Sequence, residues 1–264
     1  CLEYGEPLEN PRYTLTLYPS GHMLGSAQVL IQCKSTGERI LYTGDFKLGH
    51  NPVAEAAQVV PCDTLIMETT FGRPCYSFPP SEEVVSRLAS RLRAWLDRGE
   101  VPVVLGYRLG KAQELLHHLL AQGFDVAVEA STWEATMAYE ELGVTFPGCY
   151  RPFDGVVHDG EVLLFPPSLR RSPALEAVRR KRTVMVSGWA LDQGTAWRLG
   201  VDEALPLSDH ADYHDLIRYV KAASPQVVYT VNGFPDLAAH LRRMGYQAFH
   251  LDHRNGASAQ LPLL

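Results

Sequence analysis

The sequence predicts an α/β fold made of two units, one inserted into the other. Up to residue 72 it contains short apolar or alternating segments that are typical of strands, whereas from residue 81 onward strands and helices alternate. Such alternation is typical of parallel strands joined by crossover helices. We therefore predict that residues 73–198 form an α/β insertion, and that residues 1–72 and 199–264 form the α/β unit that it interrupts.

The elements are assigned from hydrophobic periodicity and from the residues that begin or end them. Residues 35–37 form a Ser-Thr-Gly turn between two strands, and Ser81 is a typical helix cap with Glu82 and Glu83 in the first turn. The predicted strands are 13–18, 27–33, 39–43, 64–67, 101–105, 125–128, 161–165, 183–186, 204–207, 227–231 and 247–251. The predicted helices are 81–99, 110–122, 131–142, 173–180, 213–223 and 235–244.

Composition narrows the class of protein. The chain has 264 residues, a net charge of −6 and 46% hydrophobic residues, so a uniformly basic nucleic-acid-coating surface is excluded while a local basic groove is not. No apolar run is long enough to cross a bilayer, and no signal peptide precedes the first strand. The five scattered cysteines include no C-x-x-C and indicate reduced thiols, so we expect a cytoplasmic protein without a membrane partner.

Three turns carry side chains suited to metal or acid–base chemistry. His22 lies between Gly21 and Gly25, and Asp45 follows Gly44 at the end of a strand. The segment 208–212, Ser-Asp-His-Ala-Asp, lies between a strand and a helix. Taken singly, each has an ordinary alternative: a turn histidine, a turn-forming aspartate and a helix cap.

As an ordered set, these segments resemble the motifs of the β-CASP branch of the metallo-β-lactamase fold. Within that branch the chain is similar to bacterial DNA exonucleases associated with ligase and helicase genes, and to relatives of mRNA 3′-end processing factors. The resemblance extends from about residue 13 to residue 246. Its motifs are 21–27, 44–47, 62–63, 67–72, 109–116, 187–190 and 208–212.

The resemblance implies a partial αββα metallo-β-lactamase fold interrupted by a β-CASP domain, and it implies a role for each matched residue. His22 and Asp45 match metal ligands, and Asp45 is the carboxylate that bridges two ions. Glu68 matches an acidic residue that orients the metal site, and His210 matches a histidine that protonates the leaving oxygen, with Asp209 and Asp212 as neighbours. Zinc or manganese suits such ligands, and two ions can activate water for phosphodiester hydrolysis.

The sequence departs from the family pattern at two points. The H-x-H-x-D-H motif should lie upstream of His22, but the 21 residues there do not contain it, and the chain begins with Cys1 rather than Met. Asn232 occupies the position of the last ligand, normally a histidine. We therefore expect a divalent metal to be weakly bound or absent on this chain. We also expect an apolar surface, left by the absent N-terminal part, that a second copy covers.

A replacement for the lost ligands is conceivable near the C-terminus, where His250, Asp252 and His253 repeat the second half of the missing motif. The alternative is a chance pattern in a terminal edge strand. Its place in the chain also differs from that of the family motif.

Two basic features are candidates for contacts with DNA or RNA. Lys111 opens a helix after an apolar strand, where free backbone N–H groups and a cation could hold a phosphate. Arg179, Arg180, Lys181 and Arg182 form a basic cluster in the insertion that could follow a phosphate backbone beside a cleft. The alternatives are an ordinary strand-to-helix turn and a solvated face.

Three functions are therefore compared. The first is a metal-dependent nuclease, exonuclease-like, acting on DNA or RNA. The second is a catalytically silent nucleic-acid-binding protein, which Asn232 favours. The third, a small-molecule metallohydrolase, is disfavoured by the insertion and by the Glu68 and His210 motifs.

Overall fold

A computed structural model describes residues 2–251, whose strands form two sheets. The strands are β1 Pro7–Glu9, β2 Tyr13–Pro19, β3 Ala27–Cys33, β4 Arg39–Tyr42, β5 Thr64–Glu68, β6 Val101–Leu105, β7 Val126–Val128, β8 Tyr150–Pro152, β9 Val162–Phe165, β10 Lys181–Val186, β11 Glu203–Leu205, β12 Val227–Val231 and β13 Gln247–His250. The helices are α1 Ser81–Leu96, α2 Lys111–Ala121, α3 Ala130–Glu141, α4 Pro173–Glu176, α5 Thr195–Leu199, α6 Tyr213–Ala223 and α7 Asp236–Arg243. The α/β class predicted from the sequence is confirmed.

The first sheet joins the beginning and the end of the described chain. Its seven strands lie in the order β1-β2-β3-β4-β5-β12-β13. The strands from β1 to β4 pair antiparallel, whereas β4, β5, β12 and β13 pair in parallel. Because β5 and β12 are neighbours, the chain leaves this sheet after β5 and returns to it with α6 and β12.

The second sheet contains the intervening strands, all parallel, in the order β11-β10-β6-β9-β7-β8. Its strands are buried apolar runs, as in Val103, Val104 and Leu105 of β6, which is typical of a parallel sheet covered on both faces. Helices α1 and α2 contribute Leu88, Leu92 and further leucines to the core on one face.

Several sequence assignments differ from the structure. Strand β11, which we assigned to the first unit by placing the boundary at residue 198, pairs in parallel with β10 and so belongs to the second sheet. The short helix α5 provides the crossover between those two strands. The three-residue strands β1 and β8 and helix α5 were not predicted, because elements this short show no periodicity. The division into domains otherwise stays a prediction.

Helices α6 and α7 cover one face of the first sheet. Leu65 and Met67 of β5 and Val228 of β12 pack there against Leu216 and Leu241, and each of these side chains is fully buried. Side chains alternate between the two faces of a strand, so the residues between them point the other way. The core of this unit therefore lies on the helical side of the sheet.

The other face of the first sheet is apolar and only partly covered. Val29, Tyr42, Ile66, Tyr229 and Phe249 are successive register partners across β3, β4, β5, β12 and β13, so they form one row. Tyr42 and Phe249 are 41% and 46% exposed, and the other three are half-buried. We call this row the open face. It matches the apolar surface expected from the sequence.

Among the described residues, the structure contains no helix with both the length and the apolar character that crossing a membrane requires.

Leu65 and Ile66 are adjacent residues of β5 whose side chains point to opposite faces of the first sheet, so substitutions of the two compare how well each face is covered. Leu65→Ala should lower the free energy of unfolding by about 2–5 kcal/mol, because it leaves a cavity in a closed core. Ile66→Ala should cost no more than about half as much, because its side chain is already partly in water. Urea unfolding at low protein concentration measures both. Equal losses would mean that the open face is covered.

Candidate metal centre

Three side chains from distant segments of the chain converge on one point. His22, Asp45 and His210 each present a possible ligand atom, and these atoms all lie within 4.8 Å of one another. We call these three residues the metal group. Within residues 2–251 no other group of three or more His, Cys, Asp or Glu residues is placed in this way. The structure thus brings together the two predicted ligands and the predicted proton donor.

The turn between β2 and β3 presents His22. Gly21 has a φ of +79°, and a Cβ at this position would lie 2.3 Å from the carbonyl oxygen of Lys47, so only glycine fits. The Nδ1–H of His22 donates to the carbonyl oxygen of Asp209 at 2.9 Å. Because a carbonyl oxygen only accepts, this bond fixes the proton on Nδ1 and leaves Nε2 free to bind an ion.

Asp45 lies just beyond the end of β4 and has an exposed side chain. Its backbone is held in place by the hydroxyl of Ser20, which donates to its carbonyl oxygen at 2.9 Å. Gly44 before it adopts a φ of +56°. The carboxylate is therefore free to serve as a ligand, while the turn that carries it is fixed to the strand end beside His22.

Glu68 lies behind His210 and outside the metal group. Its side chain is fully buried at the end of β5. One carboxylate oxygen accepts from His210 Nδ1–H at 2.9 Å, and the other accepts from the backbone N–H of Thr70 at 2.8 Å. A carboxylate bound in this way orients the imidazole through Nδ1 and leaves Nε2 of His210 as the nitrogen that does not contact Glu68.

His210 is held in its protonated form in the absence of an ion. Burial by itself lowers the pKa of this imidazole, but the hydrogen bond to Glu68 and the nearby Asp209 carboxylate outweigh burial and raise the pKa to about 9. The ring centroids of His22 and His210 are 4.7 Å apart. The metal group therefore combines two facing imidazoles and a carboxylate, and the imidazole of His210 carries a proton at neutral pH.

A cavity of about 350 Å³ opens beside His210. Phe78 and Pro80, which precede α1, form one wall, and Leu207 and Ser208 form another. This volume is at the small end of the range for ligand pockets in proteins. His210 therefore belongs both to the metal group and to the lining of this cavity.

Asp209 and Lys111 are buried and form an ion pair with each other. Lys111 is fully buried, with Nζ 2.6 Å from Glu114 Oε2 and 3.7 Å from Asp209 Oδ1. The prediction that Lys111 holds a phosphate is therefore wrong, because its ammonium cannot reach a ligand in solvent. Asp209 meets the metal group through its backbone carbonyl, and its carboxylate points to Lys111.

Asp212 caps helix α6. Its Oδ1 accepts from the backbone N–H of Asp215 at 2.8 Å, and its Oδ2 accepts from the backbone N–H of Phe78 at 3.2 Å. Both oxygens are thus used to begin the helix and to fix the segment before α1. The structure supports the capping alternative for this residue, and it places Asp212 on the cavity wall rather than in the metal group.

The predicted basic cluster does not line the site. Arg179, Arg180, Lys181 and Arg182 lie at the amino end of β10. The carboxyl end of that strand, about 16 Å away by strand geometry, leads to the site through Trp189 and Phe71. Arg182 pairs with Glu100 and Asp202, Lys181 lies 3.8 Å from Glu176, and Arg180 donates to the carbonyl oxygen of Arg98. The prediction that this cluster follows a phosphate backbone beside the cleft is therefore wrong.

Of the three C-terminal candidates, His250 alone lies within the described residues, and it does not join the site. His250 is hydrogen-bonded to Thr230 Oγ1 through Nδ1 at 3.0 Å and is not a member of the metal group. Asp252 and His253 lie outside the described residues. Asn232, at the position of the expected last ligand, has an exposed side chain and a φ of 53°.

Sequence reasoning missed Lys47 and Glu114. Lys47 Nζ lies 2.6 Å from Glu114 Oε1, and both side chains are almost fully buried. A signal existed, because Lys111 and Glu114 occupy helix positions beside the buried leucines of α2. Charged residues in such positions need partners of opposite sign. The sequence alone did not identify those partners, which come from distant segments.

The raised pKa of His210 predicts a pH dependence of stability in chelator. The protonated imidazole stabilises the fold fully below the ordinary histidine pKa of 6.5, and this contribution is lost as the pH rises through about 9. The difference in unfolding free energy between the parent and His210→Gln should therefore shrink between pH 6 and pH 10, by on the order of 2 kcal/mol. Urea unfolding measures it. A difference that does not change with pH would contradict the ion pair with Glu68.

Comparison with known proteins agrees with this geometry. Residues 198–254, which include His210, match a family described as the Zn-dependent metallo-hydrolase RNA specificity domain. The chain is 43% identical over 242 residues to a "Probable DNA ligase" of Opitutus terrae, an alignment that covers 91% of the chain and 24% of that protein.

Two further relatives have names that refer to transcription or to RNA cleavage. The "Transcription termination factor FttA" of Pyrococcus abyssi is 33% identical over 144 residues, 51% of the chain and 22% of that protein. The "Endoribonuclease YSH1" of Candida albicans is 32% identical over 117 residues, 44% of the chain and 13% of that protein. The chain thus spans about a quarter or less of these relatives. With its motifs and its fold, these matches show that the chain belongs to the β-CASP family of the metallo-β-lactamase fold.

Proposed function

We propose that this chain forms part of a metal-dependent nuclease that hydrolyses phosphodiester bonds in DNA or RNA. The observation that supports this most is the metal group, in which His22, Asp45 and His210 meet within 4.8 Å. The cavity beside His210 offers room for a nucleotide. Family membership agrees with this proposal, since the relatives carry names of proteins that act on nucleic acids.

The metal group fits one divalent ion. Two imidazole nitrogens and a carboxylate oxygen suit zinc or manganese, and three protein ligands leave a position open for water or substrate. The oxygen partners of the two Nδ1 atoms direct Nε2 of each ring to the ion, and Nε2 of His210 can bind it only after it has lost its proton. A second ion would need donors beyond the three of this group.

In this mechanism His22 and Asp45 would hold the ion, and a bound ion would supply an activated water and would stabilise charge on the phosphate oxygens. His210 has its own task. Glu68 holds its Nδ1–H and keeps the ring protonated, so Nε2–H can donate to the leaving oxygen of the cleaved bond. Ligation of an ion by His210 requires loss of that same proton, so the two roles exclude each other at any one moment.

The alternative is a nucleic-acid-binding protein of the same family without catalysis. Asn232 favours it, because an amide replaces the histidine that the resemblance implies as a ligand. The cavity and the metal group would then serve binding alone. Cleavage assays and binding assays separate the two candidates.

The first test is cleavage of end-labelled single-stranded DNA and RNA with Mn²⁺ or Zn²⁺. Chelation with EDTA should abolish cleavage. His210→Gln should lower the rate by about 100-fold or more, the usual contribution of a positioned acid. Asp45→Asn should lower it at least as much, because it removes the anionic ligand of the ion. His158→Gln, an exposed histidine far from the site, is the control and should leave the rate unchanged.

The pattern of products gives the finer result, since an exonuclease-like enzyme removes nucleotides from one end and leaves circular DNA intact. Cleavage that survives in Asp45→Asn and His210→Gln would exclude this site as its source. Retained binding without any cleavage by the parent would favour the silent binding protein.

We further propose that a second copy of the chain covers the open face. A row of apolar side chains across five strands is larger than the isolated apolar residues that ordinary surfaces carry. Pairing of two such faces would bury these side chains from water. A homodimer formed in this way would leave the metal groups, which lie at the ends of the strands, accessible.

Sedimentation of the parent should give a dimer at micromolar concentration, and Ile66→Lys should shift it to a monomer, because a charge would enter the centre of the apolar contact. Leu142→Lys is the matched control. Leu142 is 73% exposed and lies at the C-terminal end of α3, away from the first sheet. A parent that is monomeric at this concentration would overturn the dimer.

We also infer a cytoplasmic location. The four cysteines among the described residues, Cys33, Cys62, Cys75 and Cys149, are free thiols, which agrees with a reducing compartment.

A further inference from the structure

A buried network of four charges lies behind the metal group. Glu114 is at its centre: Oε1 lies 2.6 Å from Lys47 Nζ, and Oε2 lies 2.6 Å from Lys111 Nζ. Lys111 Nζ lies 3.7 Å from Asp209 Oδ1. The two positive and two negative charges balance. We call Lys47, Lys111, Glu114 and Asp209 the charge network.

The charge network joins three segments, and two of them carry Asp45 and His210 of the metal group. Lys47 follows Asp45 by two residues. Asp209 is adjacent to His210, and its carbonyl oxygen accepts from His22 Nδ1–H at 2.9 Å. Lys111 and Glu114 come from helix α2, which packs on the second sheet. Helix α2 therefore reaches the metal group through charged side chains, although it supplies no ligand itself.

Packing of α2 against the segments that carry the metal group does not by itself require charged side chains. The side chains of Lys111 and Glu114 are 0% and 1% exposed, and apolar side chains of similar volume often stabilise a buried position as well as an ion pair does. Ion pairs differ from apolar contacts in being directional. Each oxygen of Glu114 is assigned to one ammonium, so the network fixes distances between the segments that it joins.

The four groups are held in a mutually dependent state. Burial by itself raises the pKa of Glu114, but Lys111 and Lys47 lower it below its usual range. Burial likewise lowers the pKa of Lys111, and Asp209 and Glu114 raise it above its usual range. Both groups therefore stay ionised together, and removal of either one leaves the charge network with an unbalanced buried charge.

We propose that Glu114 and Lys111 are positioning residues of the metal group: through Lys47 and Asp209 they fix the spacing between the Asp45 turn and the segment that carries His210 and anchors His22. The functional importance of this positioning rests on the proposed function. Its content is geometric, so it can be tested on the chain whether or not cleavage is found.

The decisive variant is the double substitution Lys47→Met/Glu114→Gln. It removes one charge of each sign and leaves Lys111 paired with Asp209, so no buried charge is unbalanced. The side-chain link from the Asp45 turn through α2 to the Asp209 segment is nevertheless lost. The backbone hydrogen bond from Ala211 N–H to the carbonyl oxygen of Phe46, at 2.7 Å, remains in the double variant, so the comparison isolates the contribution of the charges. A network that served only stability would tolerate this change, whereas a positioning network would not.

The first readout is the tautomer of His22, measured by ¹⁵N NMR of histidine-labelled protein in EDTA and assigned with His22→Gln. The parent should show a fixed Nδ1–H tautomer, as the bond to Asp209 requires. The double variant should show a mixture of the two tautomers. Glu161→Gln is the matched control, because Glu161 is a buried carboxylate paired with Arg151 in the second unit, and it should keep the parent's tautomer.

The second readout is Mn²⁺ affinity by calorimetry. The double variant should bind Mn²⁺ on the order of 10–100-fold more weakly than the parent, the range usual for groups that orient metal ligands. Glu114→Asp, which keeps the charge but shortens the side chain by one methylene, should move both readouts in the same direction and also serves if the double variant does not fold.

A double variant or Glu114→Asp that keeps the fixed tautomer of His22 would overturn the inference. Absence of cleavage by the parent would bear only on the proposed function, because the tautomer of His22 is measured without metal or substrate.

Discussion

The hydrogen bond from His22 to the carbonyl oxygen of Asp209 joins segments 187 residues apart, and the candidate site depends on it. It closes the early turn on the late segment, so that His22 and His210 face each other at a centroid distance of 4.7 Å. It also fixes the proton of His22 on Nδ1. Two further bonds complete the arrangement: the hydroxyl of Ser20 donates to the carbonyl oxygen of Asp45 at 2.9 Å, and Ala211 N–H donates to the carbonyl oxygen of Phe46 at 2.7 Å.

The site is built at the ends of strands because strand ends are where a sheet can present side chains without breaking its hydrogen bonds. Asp45 follows β4 and Glu68 ends β5, and these two strands are parallel neighbours. Their carboxyl ends therefore meet at the same edge. Glu68 is buried behind His210, whereas Asp45 is exposed beside it. The two carboxylates therefore have different environments and different roles.

Charge distribution decides which basic residues can contact a substrate. The basic cluster at residues 179–182 has the composition of a phosphate-binding surface, yet three of its side chains already bind carboxylates or a carbonyl. Lys111 has the position of a phosphate-binding lysine at a helix start, yet it is buried among carboxylates. A charge count along the sequence gives no information on such pairing, because the partners lie up to 98 residues away in the chain.

The sequence by itself determined the α/β class, most of the strands and helices, and the motifs that carry His22, Asp45, Glu68 and His210. It could do so because periodicity and glycine turns are local properties, and because an ordered set of motifs is specific as a pattern. The place of β11, the function of Asp212 as a helix cap, the burial of Lys111 and the partners of Glu114 were decided only by the tertiary structure. Each of these depends on which distant segments pack together, and that packing is a property of the whole chain and not of any one segment.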